Sequence, residues 1–236
     1  MSKYTCNEIK DGWISSVPLI LGFIPVAMTF GILAKNADFS IWTCLGFSMF
    51  VYAGASQFIA LNLLLLDAGF SEIILTTLLV NFRHFLMSAS LAPQLPNQTK
   101  KWSPLIAFGI TDEIFSVASF RKKQLSAAYM ITLEGVGYLA WVFGTFLGFV
   151  LGSVLPAVLQ DSMGIALYAM FVAILIPEVK RSSKAFVLAI LSGLINIVCT
   201  YAFHLPQGWS IILSVLIASL FGTYWSTKGG VVKYES

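Results

Sequence analysis

The chain has 236 residues, of which 58% are hydrophobic and 11% charged, with a formal net charge of +3 and a mean hydropathy of +0.85. Soluble domains carry about 25% charged residues, so this composition does not coat a water-facing surface, and a soluble enzyme, a nucleic-acid binder and a disordered chain do not fit it. Backbone groups in lipid must pair within helices or closed barrels, and the apolar runs here are far longer than barrel strands. The expected fold class is therefore all-α, a polytopic membrane helical bundle built as one transmembrane domain over 1–236, with some helices broken or kinked.

Windows of about 20 apolar residues, the length a bilayer core demands, fall near 13–34, 41–66, 70–92, 102–120, 126–154, 161–177, 185–204 and 207–226. The first follows Lys3 and Lys10 but contains two prolines and no clear small-residue cleavage site, so it reads as a span and not as a signal peptide. With eight spans, Lys3, Lys10, Arg121, Lys122, Lys123, Lys180, Arg181, Lys184, Lys228 and Lys233 gather on one side, against Lys35, Lys100 and Lys101 on the other. That bias places both termini in the cytoplasm. The 102–120 window is short and holds Asp112 and Glu113. A re-entrant loop there would put the basic run at 121–123 outside, so the charge rule reads it as a full crossing.

In the first span Pro18, Gly22, Pro25 and Thr29 share a face. Pro25 deprives the Leu21 carbonyl of its helical donor, so Gly22 and Pro25 are expected to mark a helix break or kink. The second span carries Val51-Tyr52-Ala53-Gly54-Ala55-Ser56-Gln57-Phe58 at its middle. Unwinding of this small-residue run would turn the N–H groups of Gly54, Ala55 and Ser56 towards a carboxylate, with Gln57 beyond them; plain close packing is the competing reading.

Ionisable residues at mid-bilayer cost about 2.5–3.5 kcal/mol on insertion scales, and most of them here fall in the third and fourth spans. Thr77, Asn81, His84 and Ser88 form one stripe along the third helix, because positions at i, i+4, i+7 and i+11 share a face. Arg83 points about 100° away from His84 and is expected to pair with Asp112 or Glu113, which lie at similar depth in the antiparallel fourth span. One acid then stays free for a proton or an amine, and His84 is suited to proton relay near neutral pH. The competing reading for Arg83 is a purely structural bridge. Asp112, Ser116 and Ser119 share a face of their own. Glu134, about eight residues into the fifth span, is close enough to its end to sit at a headgroup boundary. Later in that span Gly144, Gly148 and Gly152 form a ridge at four-residue spacing for a close helix contact, either internal or with a second subunit.

Cys6, Cys44 and Cys199 show no metal spacing or disulfide framework and read as structural thiols. A shift of 121 residues superposes Met49-Phe50-Val51 on Met170-Phe171-Val172, Gly31 on Gly152 and Phe82 on Phe203, a short internal echo of the kind transporters carry. No nucleophile elbow, P-loop, zincin helix or dinucleotide loop appears, so neither enzymatic activity, a cofactor nor a metal is expected.

Four motifs in order, Gly22-Phe23-Ile24-Pro25, Tyr52-Ala53-Gly54-Ala55-Ser56-Gln57-Phe58, Asn81-Phe82-Arg83-His84 with Leu86-Met87, and Thr111-Asp112-Glu113-Ile114-Phe115, resemble the AzlC family. Its members are the large subunits of two-component branched-chain amino-acid exporters. The motifs cover residues 12–120; beyond Gly144 the resemblance rests on length and hydropathy. It implies a permease of the bacterial cytoplasmic (inner) membrane that expels leucine, isoleucine, valine and often methionine, together with a small AzlD-type membrane subunit.

The residues supply what a zwitterion needs. Arg83 or the amides at Gly54, Ala55 and Ser56 suit its carboxylate, and Asp112 or Glu113 suits its ammonium. Gln57, Asn81 and His84 complete the expected substrate site, with Asp112, Glu113 and His84 as the expected proton-coupling groups. The alternatives are export of another amino acid or small metabolite, a passive pore, and a non-transporting assembly subunit.

Overall fold

The computed structural model describes residues 3–121, 123–152 and 182–228, together with 154, 156, 172, 175, 176, 179 and 180. Among the described residues every long element is a helix: α1 (Lys3–Asn36), α2 (Ile41–Gly46), α3 (Gly54–Leu65), α4 (Phe70–Leu91), α5 (Ser103–Gly109), α6 (Asp112–Ser119), α7 (Ala127–Leu151), α8 (Ser183–Ile197) and α9 (Gln207–Lys228). Five helical stretches are long and apolar enough to cross a membrane: Thr5–Asn36, Phe70–Gln94, Ala127–Leu151, Ser183–Ala202 and Gly208–Trp225. They correspond to the windows at 13–34, 70–92, 126–154, 185–204 and 207–226. Phe70, Phe82, Phe85, Trp42 and Leu220 are exposed, as lipid-facing side chains are.

Two of the expected spans are not single helices. The 41–66 window becomes two short apolar helices, Ile41–Val51 and Gly54–Leu65, and the 102–120 window becomes α5 and α6 separated by an extended Ile110–Thr111 link. The expected break at Gly22 and Pro25 does not occur, because α1 runs unbroken through Pro18 and Pro25. Pro25 is exposed there and Gly22 has open space around it, while the Thr29 hydroxyl donates to the Pro25 carbonyl at 3.0 Å. Apart from 172, 175 and 176, the 161–177 window lies outside the described residues, as do Met170 and Phe171 of the proposed echo.

Contacts divide the chain into two compact units. The first, Met1–Leu61 with Val80–Ala169, is organised by α1 lying along α7. The glycine ridge is spent on this internal contact: a Cβ at Gly148 would overlap the Met28 backbone, and one at Gly31 would overlap the Thr145 carbonyl. Small residues allow helix backbones to approach this closely. Around the seam, the Phe23 ring meets the Trp141 ring edge-on with centroids 5.5 Å apart, and Phe30, fully buried, packs on Phe58 at 5.5 Å.

The second unit comprises Asn62–Leu79 and Met170–Ser236. Here α8 and α9 pack with Leu188 over Gly222. Glu72, in the first turn of α4, is buried and accepts from the Gly208 amide at 2.8 Å and the Trp209 amide at 3.3 Å. A carboxylate thus satisfies two of the orphan donors at the start of α9.

Substituting Gly148 by Ala is expected to cost about 1–3 kcal/mol or more, read as a lower unfolding temperature in detergent. Gly22→Ala, where an added Cβ meets nothing within 4 Å, leaves that temperature unchanged or raises it.

Candidate functional site

The two interrupted helices of the first unit meet on α7. A Cβ at Gly137 would stand 3.2 Å from the Tyr52 hydroxyl and 3.3 Å from Ile114 Cδ1. Tyr52 belongs to the first break and Ile114 follows the second.

At the first break the helix widens into a π-turn over Phe47–Val51 and then stops at Tyr52, which holds a left-handed conformation with φ 42° and ψ 43°. A non-glycine residue there is strained and persists only where its surroundings impose it. Tyr138 contributes, its hydroxyl donating to the Met49 carbonyl at 3.1 Å. The break falls at the leading edge of the small-residue run, so α3 starts at Gly54 and the amides of Gly54, Ala55 and Ser56 have no partner within the helix. Ala55, Ser56 and Gln57 are buried. The Ser56 hydroxyl donates back to the Ala53 carbonyl at 2.9 Å.

Gln57 is engaged at both ends of its amide. Its oxygen accepts from Trp141 Nε1 at 3.0 Å, and its nitrogen donates to Ser48 Oγ at 3.1 Å. Ser48 in turn shares a 2.7 Å hydrogen bond with Thr145. This network joins the π-turn and α3 to α7, and satisfied buried polar groups of this kind rigidify the helices they connect.

At the second break Thr111 caps α6, its hydroxyl accepting from the Ile114 amide at 3.4 Å. Asp112 and Glu113 occupy the first turn of α6, where the helix dipole favours negative charge. Arg83 Nη1 lies 2.7 Å from Asp112 Oδ2, with side chains 30% and 20% exposed. Arg83 Nε and Asn81 Oδ1 are buried without a hydrogen-bond partner. His84 is within electrostatic range of both Arg83 and Asp112. Arg83, His84, Asp112 and Glu113 therefore form one group, whereas Ser56 and Gln57 serve the α3–α7 contact. Elsewhere on the expected polar stripe, the Thr77 hydroxyl is used by its own helix, donating to the Ile73 carbonyl at 2.7 Å.

Sequence reasoning missed two features. Glu134 is buried inside the protein: it is 4% exposed and lies against Gly109, where a Cβ would stand 2.7 Å from its carboxyl carbon. The second feature ties the start of α1 to the segment before α7. Arg121 Nη2 donates to both Glu8 oxygens at 3.0 Å, its guanidinium stacks 3.5 Å above the Tyr129 ring, and Ser126 donates to Glu8. At the edge of this cluster Lys123 donates to Asp11 at 2.8 Å, a bond that raises the Lys123 pKa above the usual lysine value. Glu8 and Arg121 are 113 positions apart, so periodicity gave no sign of the pair. Cys44 and Cys199 are buried and Cys6 is exposed, all three as free thiols. Among the described residues no group of three or more His, Cys, Asp or Glu is arranged to hold a metal ion.

These features define a multi-pass helical membrane protein with two interrupted helices and an Arg83–Asp112 ion pair at the second of them. The chain belongs to the AzlC family, whose model, described as AzlC protein, matches residues 18–155. It is 31% identical over 224 residues to the inner membrane protein YgaZ of Escherichia coli (strain K12), covering 91% of each chain. An uncharacterized membrane protein of Archaeoglobus fulgidus is 33% identical over 227 residues, covering 94% of this chain and 95% of the relative. More distantly, it is 27% identical over 172 residues to the branched-chain amino acid transport protein AzlC of Bacillus subtilis (strain 168), covering 72% of this chain and 67% of that one. No solved structure matches it.

Arg83→Ala strips Asp112 of its charged partner and is expected to lower stability by about 1.5–3 kcal/mol. Combining it with Asp112→Asn should restore most of that loss in thermal unfolding, because no unpaired charge then remains.

Proposed function

We propose that this protein is the large subunit of an exporter of branched-chain amino acids (leucine, isoleucine, valine and also methionine) acting in the cytoplasmic membrane with both termini inside. A small AzlD-type membrane subunit completes it. The observation that carries the reading is the Arg83–Asp112 pair at the broken fourth span, in a chain related to a branched-chain amino acid transport protein. Interrupted helices with charged groups at the break are how secondary transporters hold ionic substrates within the bilayer.

A zwitterion suits this arrangement. Its carboxylate competes for Arg83, or for the free amides at Gly54 to Ser56, and its ammonium for the acids at the head of α6. Parting Arg83 from Asp112 leaves Asp112 or Glu113 to exchange a proton for the substrate amine, so export is driven by the proton gradient through alternating access. His84, next to Arg83 on α4, is the proposed relay for that proton.

The test is efflux of preloaded leucine, isoleucine, valine and methionine from cells making this chain, with and without a candidate small subunit. Efflux is expected to require both subunits and to fall about tenfold or more in Asp112→Asn, matching the loss of a charged hydrogen bond. Collapsing the pH gradient and potential should remove net export while leaving exchange; efflux indifferent to both would overturn the coupling.

A further inference from the structure

Glu134 is a buried carboxyl of the first unit that neither the reading above nor the Glu8–Arg121 cluster uses. Its Oε1 is buried without a hydrogen-bond partner, and the residue lines a half-open cavity of about 350 Å³ together with Leu105, Phe108, Gly109, Ile131, Gly135 and Tyr138. Every other wall is apolar or aromatic, so nothing in the cavity neutralises the acid. Beside it three rings are in mutual contact: Tyr52 with Tyr138 at 5.1 Å, Tyr52 with Phe108 at 6.1 Å and Phe108 with Tyr138 at 6.2 Å. The Tyr52 hydroxyl is likewise buried and unpartnered.

A desolvated carboxyl requires a proton or a cation, and aromatic faces attract an ammonium group as well. Aliphatic walls at Leu105 and Ile131, with open space where a Gly135 side chain would be, accept a branched hydrocarbon. Arg83 is absent from the lining, so the cavity offers no positive charge for a carboxylate. We propose that this cavity is a second binding station, separate from the Arg83–Asp112 pair, which holds a primary ammonium on Glu134 with its branched apolar chain against Leu105, Ile131 and Phe108. The proposal rests on the transport reading for the identity of the natural substrate as an amino acid, but the chemistry of the cavity stands apart from it.

The probe is 3-methylbutylamine, which keeps leucine's branched chain and amine and lacks its carboxylate. Its binding to the purified full chain is measured by titration calorimetry, with 4-methylpentanoate, which has the carboxylate and lacks the amine, in parallel. The amine is expected to bind in a way that depends on Glu134, whereas any binding of the acid, at Arg83, is expected to be indifferent to Glu134. Glu134→Gln should weaken the amine about tenfold or more. Should that variant fold poorly, Gly135→Leu fills the cavity without touching the carboxyl and replaces a helical glycine by a better helix former. It should abolish amine binding while the unfolding temperature holds.

Amine binding that is absent from the wild type, or equal in wild type and in a folded variant of either kind, overturns the station, as does binding of 4-methylpentanoate that Glu134→Gln weakens by the same factor. Leucine efflux by cells making the wild type judges the transport reading separately. Efflux without amine binding removes the station alone, and amine binding without efflux of any of the four amino acids removes the transport reading alone.

Discussion

Gly31 and Gly148 let α1 and α7 close until a side chain at either position would overlap the partner's backbone, and α7 becomes the post on which both interrupted helices rest. Glu134, Gly137 and Trp141 lie along it one helical turn apart, since residues at i, i+3 and i+7 share a face. The first packs against the α5 terminus, the second lies against both Tyr52 and Ile114, and the third receives Gln57 and Gly54. Any widening of the α1–α7 seam would displace all three contacts together. The fixed geometry of the breaks is therefore inherited from two glycines on other helices.

Polar groups in this protein divide into those that hold it together and those left over. Gln57, Ser48, Thr145 and Trp141 close a network among themselves, and Arg121 ties Glu8 to the segment before α7 while its Nη1 stays without a partner. Near the two breaks and on α7 the accounts stay open as well: Tyr52, Asn81, Arg83 and Glu134 each retain a buried atom without a partner. Unsatisfied polar atoms are costly in a low-dielectric interior, so these groups raise the energy of the packed state where the Gln57 network lowers it.

The long helices were legible because a span of apolar residues is a strong signal, and the Arg83–Asp112 pair was legible because antiparallel neighbours bring equal depths together. The break at Tyr52–Ala53 followed from the small-residue run. The break before Asp112 was readable too, although it was read as one span: Gly109 ending a helix, then Thr111 followed by two acids, is a stop signal followed by a start signal. Pro25 misled in the opposite direction, since a proline removes one hydrogen bond but leaves an exposed helix face able to continue. Glu134 was hidden because its neighbour is Gly109, and only the fold brings that glycine to it.

The carboxylate of Glu72 sits at the head of a helix that begins 136 positions later. During synthesis α4 leaves the ribosome long before the Gly208 and Trp209 amides exist, so the Glu72 side chain waits for both of its backbone donors until the last helix docks. The order of chain synthesis thereby bears on this unit: α4 is completed by α9, and a nascent chain that stops short of Gln207 carries a polar side chain whose finished partners are still to come.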